Sequence, residues 1–191
     1  MAKTIRYAGG QSSLGPFVAA TSDRGLALLE FGDRNEAMIR QLQGRFPDAD
    51  IVEDAAALGD TLALAARLID HPEQGGDLAL DLQGSAFELR VWNALREVSA
   101  GTTVSYGEIA ARLGVPREAR EVAEACAANC VAIAVPCHRV VKKDGSISGY
   151  RWGVARKRTL IAREHKAGLL RGSAEVAQVD LQRAEARGET G

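Results

Sequence analysis

The chain has no excess of charge of either sign. Its 191 residues hold 24 Lys and Arg against 25 Asp and Glu, for a formal net charge of −1. A global basic field of the kind that draws a protein onto nucleic acid is therefore missing, and any nucleic-acid surface must be local. Long apolar runs are missing as well: no stretch reaches the ~20 residues a membrane-spanning helix needs. The N-terminal "MAKTIRYAGG" lacks the apolar core of a signal peptide. These two absences predict a cytoplasmic protein. Cysteine is scarce and odd in number, at Cys126, Cys130 and Cys137, which argues against a disulfide framework. Histidine is scarcer in useful positions. His71, His138 and His165 are far apart in sequence and the acids are scattered, so no metal site is predicted and Cys126 and Cys130 read as small buried hydrophobes.

What is present organises into two regions and a tail, predicted at 1–76, 77–171 and 172–191. In the first, "GPFVAATSDRGLALLEF" reads as two strands around a turn at Ser22–Gly25. "NEAMIRQLQGRF" reads as a helix that Pro47 stops, and a second helix is expected over Asp54 to Ile69. "HPEQGGD", His71 to Asp77, is the linker candidate, and "LALDL" reads as one further strand. The second region opens on a capping box, Ser85 with Glu88, ahead of "FELRVWNALREV". Ser105 with Glu108 forms another box before "YGEIAARL". A tight turn at Gly114–Pro116 and a helix over about Arg117 to Ala128 complete a helix-turn-helix pattern. An apolar run, Val131 to Val135, then reads as a strand delivering Pro136–Cys137–His138–Arg139. A last helix is expected over Val154 to Lys166, and the polar tail after Gly172 is expected to be mobile. The fold class is thus α/β (α+β): a small N-terminal α/β subdomain, then a mainly helical subdomain with a helix-turn-helix and a short active-site strand.

The chemistry concentrates at Cys137–His138. A thiol is mostly protonated at neutral pH, and the thiolate is the nucleophile. A neighbouring base, a positive charge or helix-end dipoles would activate it. On an extended chain neighbours point to opposite sides, which leaves open whether His138 reaches the thiol directly or through a bridging water. A base of this kind needs a third group to fix its tautomer. Glu164 and Asp144 are both available, and periodicity does not choose between them.

The motif "VPCHRVV", preceded by "AEACAAN" and followed by "SGYRWG", resembles the O6-alkylguanine-DNA alkyltransferases (methylated-DNA–protein-cysteine methyltransferases). The resemblance extends over most of the chain. "IRYAGGQSSLGPFVAATSDRGLALLEFGD" is similar to the N-terminal subdomain of the alkyltransferase half of the Ada-type adaptive-response proteins, and "VWNALREVSAGTTVSYGEIAARLGVP" to the helical part of their active-site subdomain.

The resemblance implies a role for each matching position. Cys137 would accept the alkyl group, His138 would activate it through a water, and Glu164 would orient His138. Asn129 would be the hinge between recognition helix and active-site strand. Tyr106 would crowd the phosphate of the target nucleotide, and Arg120 would fill the gap left in the duplex. Ser148, Gly149 and Tyr150 would line the guanine pocket. The implied reaction is irreversible, single-turnover transfer from O6-alkylguanine in double-stranded DNA, with O4-alkylthymine as a candidate second lesion. It needs nucleotide flipping, no cofactor and no metal, and implies a monomer acting at the nucleoid.

Two features depart from the family pattern. Glu121 and Glu124 lie in the recognition helix, where Arg117 and Arg120 are spaced to pair with them. Against them stands a basic segment, Lys142, Lys143, Arg151, Arg156, Lys157 and Arg158, expected near the site. The zinc-binding phosphotriester domain and regulatory domain of Ada-type proteins have no room before Ile5, which predicts base repair without phosphotriester sensing. Two alternatives remain: a lesion-binding module with an unreactive cysteine, and a same-fold thiol protein that scavenges alkylating agents without DNA.

Overall fold

The computed structural model describes residues 3–33, 35–72 and 78–167. The linker candidate at His71–Asp77 and the boundary at 76/77 fall largely on residues outside that description, and the tail at 172–191 lies wholly outside it.

Two strands that the sequence reading missed extend the expected hairpin on one side. The sheet has four strands in the order β3-β2-β1-β4. They are β1 (Lys3–Ser12), β2 (Gly15–Ser22), β3 (Gly25–Phe31) and β4 (Ala49–Glu53). β1–β2 and β2–β3 pair antiparallel, and β4 pairs parallel to β1 with Ile5 opposite Ile51. β1 hides in sequence because Gly9 and Gly10 interrupt its alternation. β4 hides because it is short and mostly solvated, an edge position with little apolar signal.

Both faces of the sheet are buried, so β2 reads as a continuous apolar run rather than an alternating one. Phe17 and Ala19 point into one core, Val18 and Ala20 into another. Helix α1 (Glu36–Arg45) covers the second face with Met38 and Leu42, and Asn35 caps it by accepting a bond from the Met38 amide at 3.0 Å. Helix α2 (Gly59–Asp70) lies on the first face through Ala65 and Ile69. It starts later than Asp54 because the Asp54 carboxylate closes a turn on the Ala57 amide.

The first core continues without a break into the helical region. It joins Leu29 and Phe31 of the sheet to Trp92 and Leu95 of α3 (Ala86–Arg96), Ile109 of α4 (Tyr106–Arg112) and Val122 of α5 (Ala119–Ala128). Both expected capping boxes form, at Ser85/Glu88 and Ser105/Glu108. The Trp92 indole donates to the Ala125 carbonyl at 2.8 Å, tying α5 to α3. Helix α5 begins at Ala119 rather than Arg117, without a side-chain cap.

The "LALDL" segment does not form a full strand. It reduces to one bridge, Leu26 with Leu80. The Val131–Val135 run is likewise a turn and not the expected strand. Only Val131 bridges, to Leu29, and Ile133 takes a left-handed φ of 68°. The short strand of this region comes after the cysteine instead, as β6 (Val140–Val141), parallel to β5 (Val104–Ser105). Cys137–Arg139 themselves form a 3₁₀ turn. The reason is local hydrogen bonding: the Val135 amide reaches the Val131 carbonyl at 3.0 Å, and the Cys137 amide the Val135 carbonyl at 2.8 Å. These compact bonds replace a ladder. Residues 154–167 form the last helix, α6.

The hairpin turn before β3 rests on Gly25, which sits at φ 142° with the Ala79 backbone against it. A Cβ there would lie 2.3 Å from the Ala79 carbonyl oxygen, which belongs to backbone and cannot rotate away. Gly25→Ala should therefore destabilise the protein by about 2–4 kcal/mol. A denaturant midpoint shared with the parent would show that this edge of β3 yields freely.

Candidate active site

Asn129, the C-terminal cap of α5, organises the segment that follows. Its Nδ2 donates to the Val135 carbonyl at 3.0 Å and to Cys137 Sγ at 3.2 Å, and its Oδ1 accepts from the Val131 amide at 2.9 Å. One buried amide thus closes the turn and holds the thiol. The sheet holds the same segment from the other side, because the Leu29 amide donates to the Cys130 carbonyl at 2.9 Å and the Ala132 amide to the Leu29 carbonyl at 2.8 Å.

Cys137 is 6% exposed and forms part of the wall of a cavity of roughly 290 Å³. Of the three residues expected in the pocket, Gly149 and Tyr150 line that cavity with it; Tyr106, expected at a phosphate, lines it too, and Cys126, Ala127 and Arg151 complete much of the wall. Ser148 sits behind it, with its hydroxyl 2.7 Å from that of Tyr106. Burial pushes the Cys137 thiol up to about 11, while the Asn129 bond and the Lys157 charge pull it back. Cys126 is raised further still by burial, with Cys137 adding to the shift.

His138 is fully buried, and its Nε2 lies 2.9 Å from Glu164 Oε1. Its Nδ1 is buried without a protein partner, and no hydrogen bond joins the ring to Cys137 among the described residues. Burial lowers the His138 pKa, outweighing Glu164, so the ring is neutral at pH 7. The choice between Glu164 and Asp144 falls to Glu164. Asp144 is exposed and closes its own turn on the Ser146 amide at 2.9 Å.

Glu164 is 4% exposed yet charged. Burial alone would raise its pKa, but bonds from His138 and Arg139 hold it at about 2. Arg139 grips it through Nη2 at 2.8 Å and Nε at 3.0 Å, and the Gly101 amide adds a bond at 3.3 Å. Arg139 also donates to the Val98 carbonyl. Neither Arg139 nor Gly101 was singled out from the sequence, although Arg139 stands beside His138 in the motif.

Lys157 is the larger omission. It was counted only as one of six basic residues expected near the site, and it is the buried one, 1% exposed. Its Nζ donates to Ser148 Oγ at 3.0 Å and to the Gly149 carbonyl at 3.4 Å, and no carboxylate pairs with it among the described residues. Burial lowers its pKa, opposed by Cys137 and Cys126. Lys157 precedes Glu164 by seven residues, two helical turns, so both share the inward face of α6. That spacing was the available signal. Arg156, expected near the site, turns instead to the N-terminal sheet: it lies 5.0 Å over the Phe31 ring and donates to the Leu14 carbonyl at 2.9 Å. Lys142, Lys143, Arg151 and Arg158 do reach solvent.

Arg120 does not join this cluster. It stands on the exposed side of α5, 87% exposed, and pairs with Glu124 at 3.1 Å as the spacing predicted.

Residues 86–166 match the family described as 6-O-methylguanine DNA methyltransferase, DNA binding domain. The inducible methylated-DNA–protein-cysteine methyltransferase of Bacillus subtilis is 35% identical over 154 residues, covering 79% of this chain and 85% of that protein. The chain belongs to this alkyltransferase family. The bifunctional transcriptional activator/DNA repair enzyme Ada of Escherichia coli is 42% identical over 160 residues, 84% of this chain. The chain spans about half the length of the Ada proteins it matches, 45% of the Escherichia coli one and 46% of the Salmonella typhimurium one. Among solved alkyltransferases, Mycobacterium tuberculosis OGT in complex with DNA superposes with a TM-score of 0.70 at 34% identity, covering 85% of this chain and 94% of that one. The mixed fold with its sheet and helices is thus the alkyltransferase fold. Among the described residues no helix is long and apolar enough to cross a membrane.

The buried cation sets an expectation for the thiol. Lys157→Met should raise the pH at which thiolate ultraviolet absorbance appears and slow alkylation of Cys137 by about a hundredfold, the loss typical of removing one preorganised electrostatic group. An unshifted thiolate titration would confine Lys157 to packing the loop.

Proposed function

We propose that the protein repairs DNA by moving the alkyl group of O6-alkylguanine irreversibly onto Cys137. The observation that carries this reading is a buried thiol on the wall of a cavity, held by Asn129 and standing beside a neutral histidine that a charged carboxylate orients.

The chemistry follows from the geometry. A base stacked in a duplex is out of reach of a thiol in a cavity, so the nucleotide must swing out, at a cost of roughly a few kcal/mol. Once it is seated, bulk solvent is displaced from the cavity, the one water between thiol and His138 staying, and the charges around the thiol act at low dielectric. His138 takes the thiol proton through a bridging water at its free Nδ1, while Glu164 holds Nε2 and offsets the positive ring that forms. The thiolate attacks the alkyl carbon. An S–C bond forms as the O–C bond breaks, the electron pair leaves with guanine, and guanine takes up a proton. Tyr106, linked to Ser148 and Lys157, faces that leaving base. The thioether does not hydrolyse, so each molecule acts once.

The double-stranded substrate is read with α5 and the exposed basic residues around the cavity. Glu124 holds Arg120 on the helix surface until the flipped nucleotide leaves a gap for it. The protein works as a monomer in the cytoplasm, on the nucleoid, with residues 1–76 and 77–171 acting as its two subdomains. One observation favours a second reading, a lesion-binding module. The thiol is pushed up to about 11 and so is protonated at rest.

Methyl transfer separates the two readings. Excess methylated duplex should label the protein to a plateau of about one methyl per molecule, on the peptide bearing Cys137, as a stable covalent product requires. Cys137→Ala should abolish the label and leave the fold intact. Duplex binding without any mass gain in the parent protein would establish the lesion-binding module instead.

Arg120→Ala should weaken transfer from duplex by roughly ten- to thirty-fold, equivalent to about 1–2 kcal/mol of support for the extruded state. Transfer from free O6-methylguanine should be unaffected. Equal losses on duplex and free base would make Arg120 a residue of the fold.

A further inference from the structure

Helix α6 has two working faces. Lys157, Leu160 and Glu164 point inward, toward Ser148 and His138. Arg156 and Arg163, also two turns apart, point toward the N-terminal half of the chain and end on the turn between β1 and β2. Arg156 Nε donates to the Leu14 carbonyl at 2.9 Å. Arg163 donates through Nη2 to Ser13 Oγ at 2.6 Å, and through Nη1 to the Ile69 carbonyl at 2.7 Å and Asp70 Oδ1 at 3.3 Å.

The receiving groups are themselves fixed. Asp70, the last residue of α2, accepts from the Ser13 amide at 3.1 Å and from the Ser13 hydroxyl at 2.6 Å. Ser12 Oγ bonds the Gly15 carbonyl at 2.9 Å, and Gly15 makes the turn with a φ of 104°. The β1–β2 turn, the end of α2 and one face of α6 therefore form a single connected polar network. Its members are 57 and 150 residues apart in sequence.

We propose that this network is a latch that sets the rotation and axial position of α6, so that Arg163 is a positioning residue for the Cys137 thiol. This rests on Cys137 being the acceptor. The reason is geometric. Glu164 is the next residue after Arg163, and Lys157 lies two turns away on the same rigid helix. A slide or roll of α6 by a fraction of an ångström moves both charged groups against a site in which hydrogen bonds of 2.9 and 3.0 Å define the alignment. Arg163 touches neither the cavity nor the thiol. The groups that do face Cys137 are Asn129 at the end of α5, which bonds its Sγ, Tyr106 from α4, Cys126 from α5, Tyr150 and Arg151 from the loop and Lys157 from α6. A change in the thiol on altering Arg163 must then travel through α6. Two of the latch's anchors, Ser13 and Asp70, lie outside residues 86–166, so the N-terminal half contributes to the reactivity of the site as well as to its support.

The test compares Arg163→Gln, Arg163→Lys and Asp70→Asn with the parent protein. Two rates are measured for each as a function of pH. One is modification of Cys137 by a small aromatic disulfide, located by peptide mass. The other is transfer from methylated duplex. Thermal midpoints are recorded alongside. Arg163→Gln and Asp70→Asn should shift the Cys137 modification profile to higher pH and slow transfer by about ten- to a hundred-fold, the range for misplacement from a distant change. Arg163→Lys should recover most of the loss, because an ammonium still reaches Asp70 and Ser13. A lowered midpoint with an unmoved pH profile would overturn the proposal and leave the network a matter of stability. The disulfide profile needs no DNA. A parent protein that reacts with the disulfide and not with methylated duplex would thus count against alkyl transfer while still reporting on the latch.

Discussion

A carboxylate that cannot reach water must be charged among partners or not charged at all. Glu164 is such a group, and its neutralisation by the Arg139 fork shapes everything around it. An unpaired carboxylate at this depth would cost several kcal/mol. With Arg139, His138 and the Gly101 amide around it, the charge is kept and put to use. The pairing fastens the 3₁₀ turn Cys137–Arg139 to α6, and the Val98 carbonyl fastens Arg139 to the end of α3. Once α6 is held there, Lys157 falls beside Ser148 and Gly149, and the only buried lysine among the described residues becomes the leading positive charge acting on the thiol.

The other half of the site is built by hydrogen bonds to neutral groups. Asn129 satisfies a carbonyl, an amide and a thiol with one side chain, which lets a chain that has just left a helix turn sharply inside the core. The left-handed Ile133 is the strain this turn accepts, since a β-branched residue avoids that region. Strand β3 supplies the rest. Its edge, which would otherwise expose unpaired backbone, bonds to Cys130 and Ala132 on the way to the cysteine. Its next residues reach the loop on the far side of the cavity. Glu30, buried and shared with Gln41, holds Arg151 at 3.0 Å, and Phe31 meets the edge of Trp152. Both walls of the cavity are therefore hung on the sheet.

The electrostatic outcome is a thiol that is protected at rest. Burial opposes its ionisation, and the neighbouring groups offset only part of that. A neutral His138 beside a charged Glu164 is a base that gains its own counter-ion as it takes a proton.

Local signals in the sequence were enough for most of the helices and for the thiol with its histidine, but not for Lys157 or Arg139. The capping boxes at Ser85 and Ser105 fixed two helix starts, because a cap is satisfied within three residues of itself. The Pro136–Arg139 motif located the thiol and its histidine, and the family pattern around it pointed to Asn129, which bonds the thiol, Tyr106, which lines the cavity, Ser148, which bonds Tyr106, and Glu164, which bonds His138. What depended on distant partners was decided by tertiary structure. The run Val131–Val135 has the composition of a strand, but β3 offers it a single bridge and Asn129 offers it a turn. Lys157 and Arg156 have the composition of a solvated basic face, but the sheet, the hairpin turn and the loop fold over them, so that one becomes a buried cation and the other a packing group. Charge is written residue by residue, whereas the dielectric and the partners that give a charge its meaning come from other segments, 8 positions away for Lys157 and 142 for Arg156.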